Sequence, residues 1–349
     1  MKGIILHGGQ GTRLRPLTHT GPKQLIKVAG KPISQWALEK LKAAGIKEVG
    51  IILGENSPQK VIDYYKDGQE FGVKITYFYQ GKARGIAEAV YRTKDFVGND
   101  PFIVFLGDNI ILDDLSLLRD GNSDASILLA KVNNPKQFGV AIIKDNKIEK
   151  LVEKPKEQIS DLALVGVYYF TKVIFDSIEA LKPSKRGELE ITEAIQNLID
   201  TGRTVRYSIV EGWWKDTGNP SDILEANMKL LDRYIAESTG GDIENSNILG
   251  RVRIGRNTKV VNSRIIGPTH IGDNVKLEGC VIGSYTSIGD GSNIRDSQIS
   301  FSMILDDVNI ENVNISSSII GNNSRVIKAN KVGLGNELIL GENSSVQIR

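Results

Sequence analysis

The chain opens with Lys2-Gly3-Ile4-Ile5-Leu6-His7-Gly8-Gly9-Gln10-Gly11-Thr12-Arg13-Leu14-Arg15-Pro16. The apolar, β-rich run from Lys2 to Leu6 predicts a strand, and it stops at a loop holding Gly8, Gly9 and Gly11. Glycine lets backbone N–H groups come close to an anion, in conformations that other residues disfavour. Arg13 adds a planar, bidentate donor suited to phosphate. Two common phosphate motifs do not fit: the dinucleotide fingerprint needs glycine where Leu14 stands, and the P-loop needs Gly-Lys-Ser/Thr, which does not follow.

Outward from this loop the chain alternates helical and strand periods. The pattern predicts helices from about Ser34 to Ala44, near Gln59 to Tyr65 and from Ile86 to Thr93. Between them it predicts strands at Glu48–Leu53, Lys74–Tyr79 and Phe102–Leu106. Alternation of this kind, up to about Tyr234, implies an α/β domain on a mostly parallel sheet. Such sheets bind ligands outside the carboxyl ends of their strands. The strand Phe102 to Leu106 ends in Gly107-Asp108-Asn109, and Lys23 in Pro22-Lys23-Gln24-Leu25 supplies a cation just past the glycine loop. Asp216, in Trp213-Trp214-Lys215-Asp216-Thr217-Gly218, offers a second carboxylate. Two carboxylates suit Mg²⁺, but spacing alone does not bring Asp108 and Asp216 together.

Length and composition set the outer bounds. At 349 residues the chain is about twice the usual domain length, so two cores are expected. Lys and Arg number 44 against 42 Asp and Glu, a net charge of +2, which gives no broad cationic field for nucleic acid. Local Lys and Arg clusters remain suited to small phosphorylated partners. The single cysteine, Cys280, cannot form an intramolecular disulfide, and no secretory apolar stretch follows Met1, so a cytoplasmic location is expected. No apolar run approaches the roughly 20 residues that span a bilayer, so no membrane partner is expected.

After about Thr239 the helical period gives way to another. Ile254, Ile271 and Ile288 recur every 17 residues, as do Val260, Leu277 and Ile294, and Ile248, Ile265, Ile282 and Ile299. Ile304, Ile310, Ile315, Ile320 and Val326 continue the pattern in a shifted register. Three short strands per coil make a triangular parallel β-solenoid with stacked aliphatics inside. Gly255, Gly272 and Gly289 fall at its corners, where a positive φ or tight space excludes larger residues. The run resembles the hexapeptide-repeat left-handed β-helix, and the hand comes from that resemblance. A linking helix is expected at about 221–237, with Leu224, Met228, Leu231 and Ile235 on its apolar face. The expected domains are therefore 1–238 and 239–349.

Six ordered segments carry a second resemblance: Gly8 to Leu14 with Pro22-Lys23, Leu106 to Asn109, Phe138-Gly139-Val140, Glu153-Lys154-Pro155, Arg186 to Thr192, and Trp214 to Gly218. They are similar to the sugar-1-phosphate nucleotidylyltransferases, a Rossmann-like α/β nucleotidyltransferase domain, over the whole N-terminal half. Lys23-Gln24-Leu25 and Arg186-Gly187-Glu188-Leu189-Glu190-Ile191-Thr192 look most like the thymidylyl branch acting on glucose 1-phosphate, in its long form with a β-helical tail. The resemblance implies that Arg13, Lys23, Asp108 and Asp216 are catalytic, the two aspartates holding Mg²⁺. It implies a nucleotide site from Leu6, Gly8, Gly9, Gly11, Thr12, Arg13, Lys23, Gln24, Gln80, Gly85 and Asp108. Gln24, Gln80 and Gly85 line the base, and the Gln80 amide carries both a donor and an acceptor for a pyrimidine edge. Asn109, Gly139, Glu153, Lys154, Leu164, Tyr168 and Arg186 are implied on the sugar phosphate side.

The implied reaction joins dTTP, or UTP, and glucose 1-phosphate or a related sugar 1-phosphate in a homo-oligomeric enzyme. A bifunctional enzyme with an acyltransferase tail and a non-catalytic regulatory subunit remain as alternatives. His7 and Glu88 depart from the family pattern, which has a small residue and Gln or His there. His7 either narrows the nucleotide entrance or packs under the loop. His7, His19 and His270 are too scattered for a zinc site.

Overall fold

The computed structural model describes residues 1–118 and 122–328, so the end of the expected β-helical domain, 329–349, lies outside the described residues. In chain order the strands before the solenoid are β1 (Lys2–His7), β2 (Lys27–Val28), β3 (Lys31–Pro32), β4 (Glu48–Gly54), β5 (Lys74–Gly81), β6 (Phe102–Leu106), β7 (Asn109–Ile111), β8 (Ala125–Lys131), β9 (Gly139–Lys144), β10 (Lys147–Glu153), β11 (Leu162–Phe170), β12 (Val205–Ile209) and β13 (Trp214–Asp216). The helices are α1 (Ile33–Ala43), α2 (Pro58–Tyr65), α3 (Ile86–Tyr91), α4 (Lys94–Val97), α5 (Val173–Glu179), α6 (Ile191–Asp200) and α7 (Pro220–Tyr234). No helix among the described residues is long and apolar enough to cross a membrane. The chain divides into two compact units. The first comprises Met1–Gly11, Thr20–Leu25 and Ile33–Asp216; the second comprises Thr12–His19, Ile26–Pro32 and the chain from Thr217 on.

In the first unit β1 lies between β4 and β6, parallel to both, and β5 adds to β4, also in parallel. Ile4 and Ile5 are both fully buried but belong to the cores on opposite faces of the sheet. That two-sided burial is why β1 reads as an unbroken apolar run. Beyond β6 the sheet turns antiparallel through β11, which also pairs with β8 and β9, while β10 adds to β9 and β12 to β8. The parallel portion is thus the part legible from the alternation, and β8 to β12 extend it into a mixed sheet. The helix expected over Ile86–Thr93 ends at Tyr91, and a separate turn of helix, α4, begins at Lys94. Thr93 lies between them with its hydroxyl donating to the Val90 carbonyl (2.7 Å), a local bond that competes with continuing the helix.

In the second unit α7 begins at Pro220, ahead of the expected linking helix. Asn219 caps it by accepting from the Asp222 N–H (3.0 Å), and Pro220 fits the first turn, where no N–H partner is needed. Its buried face is Ile223, Ala226, Asn227, Leu230 and Leu231, whereas Leu224 and Met228, expected there, are half-buried. Asn227 can lie on that face because both ends of its amide are hydrogen-bonded. Its Oδ1 accepts from Ala29 N–H (2.9 Å) and the Ser287 hydroxyl (2.6 Å), and its amide donates to the Tyr285 carbonyl (3.2 Å).

Among the described residues, the remainder to 328 winds through three parallel sheets of six, six and five strands, the arrangement of a left-handed β-helix. Ile254, Ile271 and Ile288 stack on the first sheet, Val260, Leu277 and Ile294 on the second, and Ile265, Ile282 and Ile299 on the third. All lie in one buried core. Cys280 is buried in that core. From the coil after Ile288 the partners fall 16 rather than 17 apart, as in Ile288 opposite Ile304 and Ile294 opposite Ile310. The residue is lost at one corner: Ser284 and Tyr285 lie between Gly283 and Thr286, but Phe301 stands alone between Ser300 and Ser302. Every strand keeps its inward side chains, and Tyr285 and Phe301 stack with ring centroids 5.7 Å apart.

Of the two reasons offered for the corner glycines, close approach applies. The left-handed φ falls two residues later, on Asn257, Asn274 and Gly291, while a Cβ on Gly272 would lie 2.4 Å from Asp290 Oδ1 and 2.8 Å from its N. That oxygen cannot move aside freely, because it accepts from the Asp273 N–H (2.8 Å) and its partner oxygen binds the Lys27 ammonium (2.7 Å). Gly272→Ala is therefore expected to cost about 1–3 kcal/mol by overpacking. It should lower the thermal midpoint of the full chain by several degrees, and an unchanged midpoint would show that the corner opens without strain.

Lys27, on the β2–β3 hairpin, also reaches Asp306 (3.0 Å). Burial alone would lower its pKa, but the two carboxylates outweigh it and raise it. His270 is buried against the same hairpin, its Nε2 2.4 Å from where a Cβ on Gly30 would stand. Burial holds its pKa down at about 4, so the imidazole there is neutral.

Candidate active site

The sheet itself brings the glycine loop and Asp108 together. The Gly107 N–H donates to the Leu6 carbonyl (2.9 Å), and a Cβ at Gly107 would stand 2.7 Å from that oxygen. Glycine after β6 thus lets the ends of β1 and β6 stay in contact, so Gly8–Gly11 and Asp108 emerge side by side. Gly9 (φ +91°) and Gly11 (φ +62°) take left-handed conformations that shape the loop. Gln24 braces it from below, its amide donating to the Gly8 carbonyl (3.0 Å), and its backbone oxygen accepts from the Ser34 hydroxyl (3.1 Å).

Asp108 forms an ion pair with Lys23. Burial pushes its carboxyl pKa up, but the Lys23 ammonium, together with the Asn109 amide, outweighs burial and holds it below the usual range. Asn109 is itself fixed from three sides. Its amide donates to Asp108 Oδ1 (2.8 Å), and its Oδ1 accepts from Trp214 Nε1 (2.7 Å) and the Gly166 N–H (3.2 Å). Its visible work is to orient Asp108 and tie β7 to β11 and β13. A Cβ at Gly166 would collide with the Asn109 side chain at 2.7 Å, which explains the glycine.

The antiparallel ribbon of β7 and β13 brings the backbone of Asp216 near that of Asp108. Asp216 lies directly across from Asn109, hence one residue from Asp108. Paired Cα atoms in such a ribbon are about 4.5–5.5 Å apart. Two carboxylates on oxygen-donating chains, next to a lysine, fit a hard cation that takes most of its remaining ligands from phosphate and water. Thr12 and Arg13 belong to the second unit, where the Arg13 guanidinium lies 3.1 Å from the Cβ position of Gly218, two residues past Asp216.

His7 is buried, edge-on to Tyr65 (centroids 6.1 Å, 87°), and neither ring nitrogen has a hydrogen-bond partner among the described residues. Burial drives its pKa down to about 3 despite the pull of Asp108. Of its two possible roles, the structure shows packing beneath the loop.

The Gln80 and Gly85 segment is clamped to the Arg186–Thr192 run by backbone. Leu189 N–H donates to the Arg84 carbonyl (2.8 Å), and the Leu189 carbonyl accepts from Ala87 N–H (3.1 Å). A Cβ on Gly85 would lie 2.3 Å from that carbonyl. Gln80, buried, donates its amide to the Gly85 carbonyl (3.2 Å) and to Glu88 Oε2 (2.8 Å), a partner that the family pattern did not supply.

A second polar cluster surrounds Glu153. Its Oε2 accepts from the Thr192 hydroxyl (3.1 Å) and sits 3.0 Å from the Cβ position of Gly139, with Leu164 Cδ1 at 3.8 Å from the same point. Arg186 reaches Glu153 and Glu190 (both 3.4 Å) and Glu188 (3.1 Å), and Lys154 stands 3.8 Å from Glu153. Burial, then Glu190, raises the Glu153 pKa against the opposing cations. Tyr168 is buried between the clusters: after burial, the charges of Glu153 and then Asp108 raise its phenol pKa. Thus Gly139, Glu153, Lys154, Leu164, Tyr168 and Arg186 lie about one place and Lys23 and Asp108 at another, with the backbone of Asp216 across from Asn109. Trp214, Gly166 and Thr192, which hold these groups, were missed as supports although all but Gly166 lie in the quoted motifs.

The mixed sheet with its glycine loop, followed by the parallel solenoid, is the fold of a nucleotidyl-transferring enzyme. Residues 2–233 match the nucleotidyl transferase family, and the chain belongs to that family. It is 42% identical to a glucose-1-phosphate thymidylyltransferase of Streptomyces griseus, covering 100% of this chain and 99% of that one. It is 47% identical to a low-salt glycan biosynthesis nucleotidyltransferase of Haloferax volcanii over 74% of this chain and 73% of that one. Among solved structures it is similar to a candidate glucose-1-phosphate thymidylyltransferase from Bacillus anthracis, crystallised with sucrose. That match has 41% identity, a TM-score of 0.61 and coverage of 68% of this chain and 98% of that one.

Proposed function

We propose that the chain transfers a thymidylyl group from dTTP to glucose 1-phosphate, giving dTDP-glucose and pyrophosphate. What supports this reading is the Lys23–Asp108 ion pair at the end of β6, with Asp216 across from Asn109 in the neighbouring ribbon, in a chain similar over its full length to a thymidylyltransferase. A phosphate oxygen of the sugar attacks the α-phosphorus and pyrophosphate leaves, so the barrier lies chiefly in charge repulsion and alignment.

Asp108 and Asp216 would hold Mg²⁺, which when bound neutralises charge on the reacting phosphates. Lys23 and Arg13 stabilise the triphosphate, the former exchanging its bond to Asp108 for phosphate oxygens. Leu6, Gly8, Gly9, Gly11 and Thr12 form its cradle, and Gln24, Gln80 and Gly85 the base site. Glu153 accepts from sugar hydroxyls beside Gly139, Leu164 and Tyr168, while Lys154 and Arg186 face the sugar phosphate. Asn109, which orients Asp108, also lies on the sugar phosphate side. We further propose a catalytic domain of 1–238, a β-helical domain of 239–349, and a homo-oligomer working in the cytoplasm.

One methyl separates dTTP from UTP and discriminates by about 1–3 kcal/mol. Pyrophosphate release from each triphosphate, paired with glucose 1-phosphate and other sugar 1-phosphates, should be fastest with dTTP and glucose 1-phosphate and should stop on chelation of divalent metal. Preference for UTP would move the assignment to uridylyl transfer, and no release from any pair would overturn it.

A further inference from the structure

We infer that Glu88 is a positioning residue for base selection: it fixes the Gln80 amide so that its carbonyl oxygen is the atom offered to the nucleotide base. The inference rests on the placement of Gln80 in the base site. A glutamine side chain has two ends of nearly equal shape and opposite hydrogen-bonding character, so its sense of recognition depends on what holds it. Here two groups flank its nitrogen, the Gly85 carbonyl at 3.2 Å and Glu88 Oε2 at 2.8 Å, and both are acceptors. A carboxylate cannot donate, so the amide orientation is chemically forced rather than a matter of choice. The other end, Oε1, is directed toward the glycine loop, 3.4 Å from the Cβ position of Gly8.

Glu88 is held in turn. Arg92, one helical turn on, donates Nε to Glu88 Oε1 (2.6 Å), with a second contact from Nη2 (2.6 Å). The same guanidinium reaches the Tyr79 carbonyl, beside Gln80 (3.4 Å). Arg92, Glu88 and Gln80 thus form a chain of charge-assisted bonds ending in a presented acceptor. An acceptor at that point pairs with the ring N3–H of thymine or uracil and opposes the N3 lone pair of cytosine. The device selects pyrimidines by ring protonation and is indifferent to the methyl that separates dTTP from UTP. With glutamine at position 88 the two amides could pair in either direction, and the forcing would be lost.

The test compares kcat/KM for pyrophosphate release with dTTP and with dCTP, glucose 1-phosphate being fixed, in the full chain and in Glu88→Gln, Glu88→Ala and Gln80→Ala. The unaltered chain should prefer dTTP by about 10²-fold or more. Glu88→Gln and Glu88→Ala should each reduce that preference by about tenfold, mainly through a raised KM for dTTP. A preference unchanged within about twofold in both Glu88 variants, with Gln80→Ala losing it, would overturn the role of Glu88 alone. An unchanged preference in Gln80→Ala would overturn the base site on which it rests. If Glu88 served only to pair with Arg92 and hold α3, its loss would lower the thermal midpoint and leave the base preference intact.

Discussion

Asp108→Ala is expected to lower kcat/KM for pyrophosphate release by about 10²- to 10³-fold or more. The carboxylate is the one acidic group at the end of β6, paired with Lys23 and oriented by Asn109. In the proposed reaction its removal takes away a cation ligand and unpairs the ammonium proposed to meet the triphosphate. Asn109 would still be held by Trp214 and Gly166, so the ribbon carrying Asp216 should keep its register. The defect should therefore fall on turnover, with a loss of stability beside it because the mostly buried Lys23 ammonium loses its carboxylate. A rate near that of the unaltered chain would remove Asp108 from the mechanism.

Lys23→Met should be costly in two measurements. Kinetically it removes the cation beside the cradle, a loss comparable to that of Asp108. Thermodynamically it leaves a mostly buried carboxylate without its ammonium, at about 3–5 kcal/mol, and the sign of its pH dependence is diagnostic. In the unaltered chain the Asp108 pKa is depressed on folding. Its contribution is then present above the unfolded value near 3.9 and lost as pH falls through the folded one. Without Lys23 the largest remaining influence is burial, which raises the folded pKa. The variant is then least penalised in acid and loses stability as pH rises past the unfolded value. Denaturant unfolding at about pH 4 and pH 7 should show the gap between the two chains widening toward neutrality. A constant gap would mean that the two charges do not share a titration.

Much of this was legible in the sequence where one residue answers to one constraint. β1, β4, β5 and β6 declare themselves because buried parallel strands must be apolar on both faces, and the solenoid because stacked coils must repeat their inward aliphatics. Asp108 was legible since a carboxylate directly after a buried strand has no packing reason to be there. What was not legible depends on pairing between distant segments. The nearness of Asp216 to Asp108 is a matter of the β7–β13 register, and no local pattern encodes it. The part of Asn109 in holding Asp108, through its bonds to Asp108, Trp214 and Gly166, was likewise not legible. The buried face of α7 includes Asn227, which a hydrophobic pattern excludes by construction. Glu88 stood out as a departure, but its meaning required the orientation of Gln80.

The coil that shortens from 17 residues to 16 shows where this kind of chain can absorb a length change. A residue removed inside a strand would turn every following side chain from core to surface until the next corner. One removed at the Phe301 corner leaves Ile299 and Ile304 both facing inward. Descendants of this gene can therefore gain or lose single codons at the bends between faces while the strands stay fixed in length. Alignments of such tails should show gaps clustered at three positions per coil, and a gap elsewhere would mark a misplaced register.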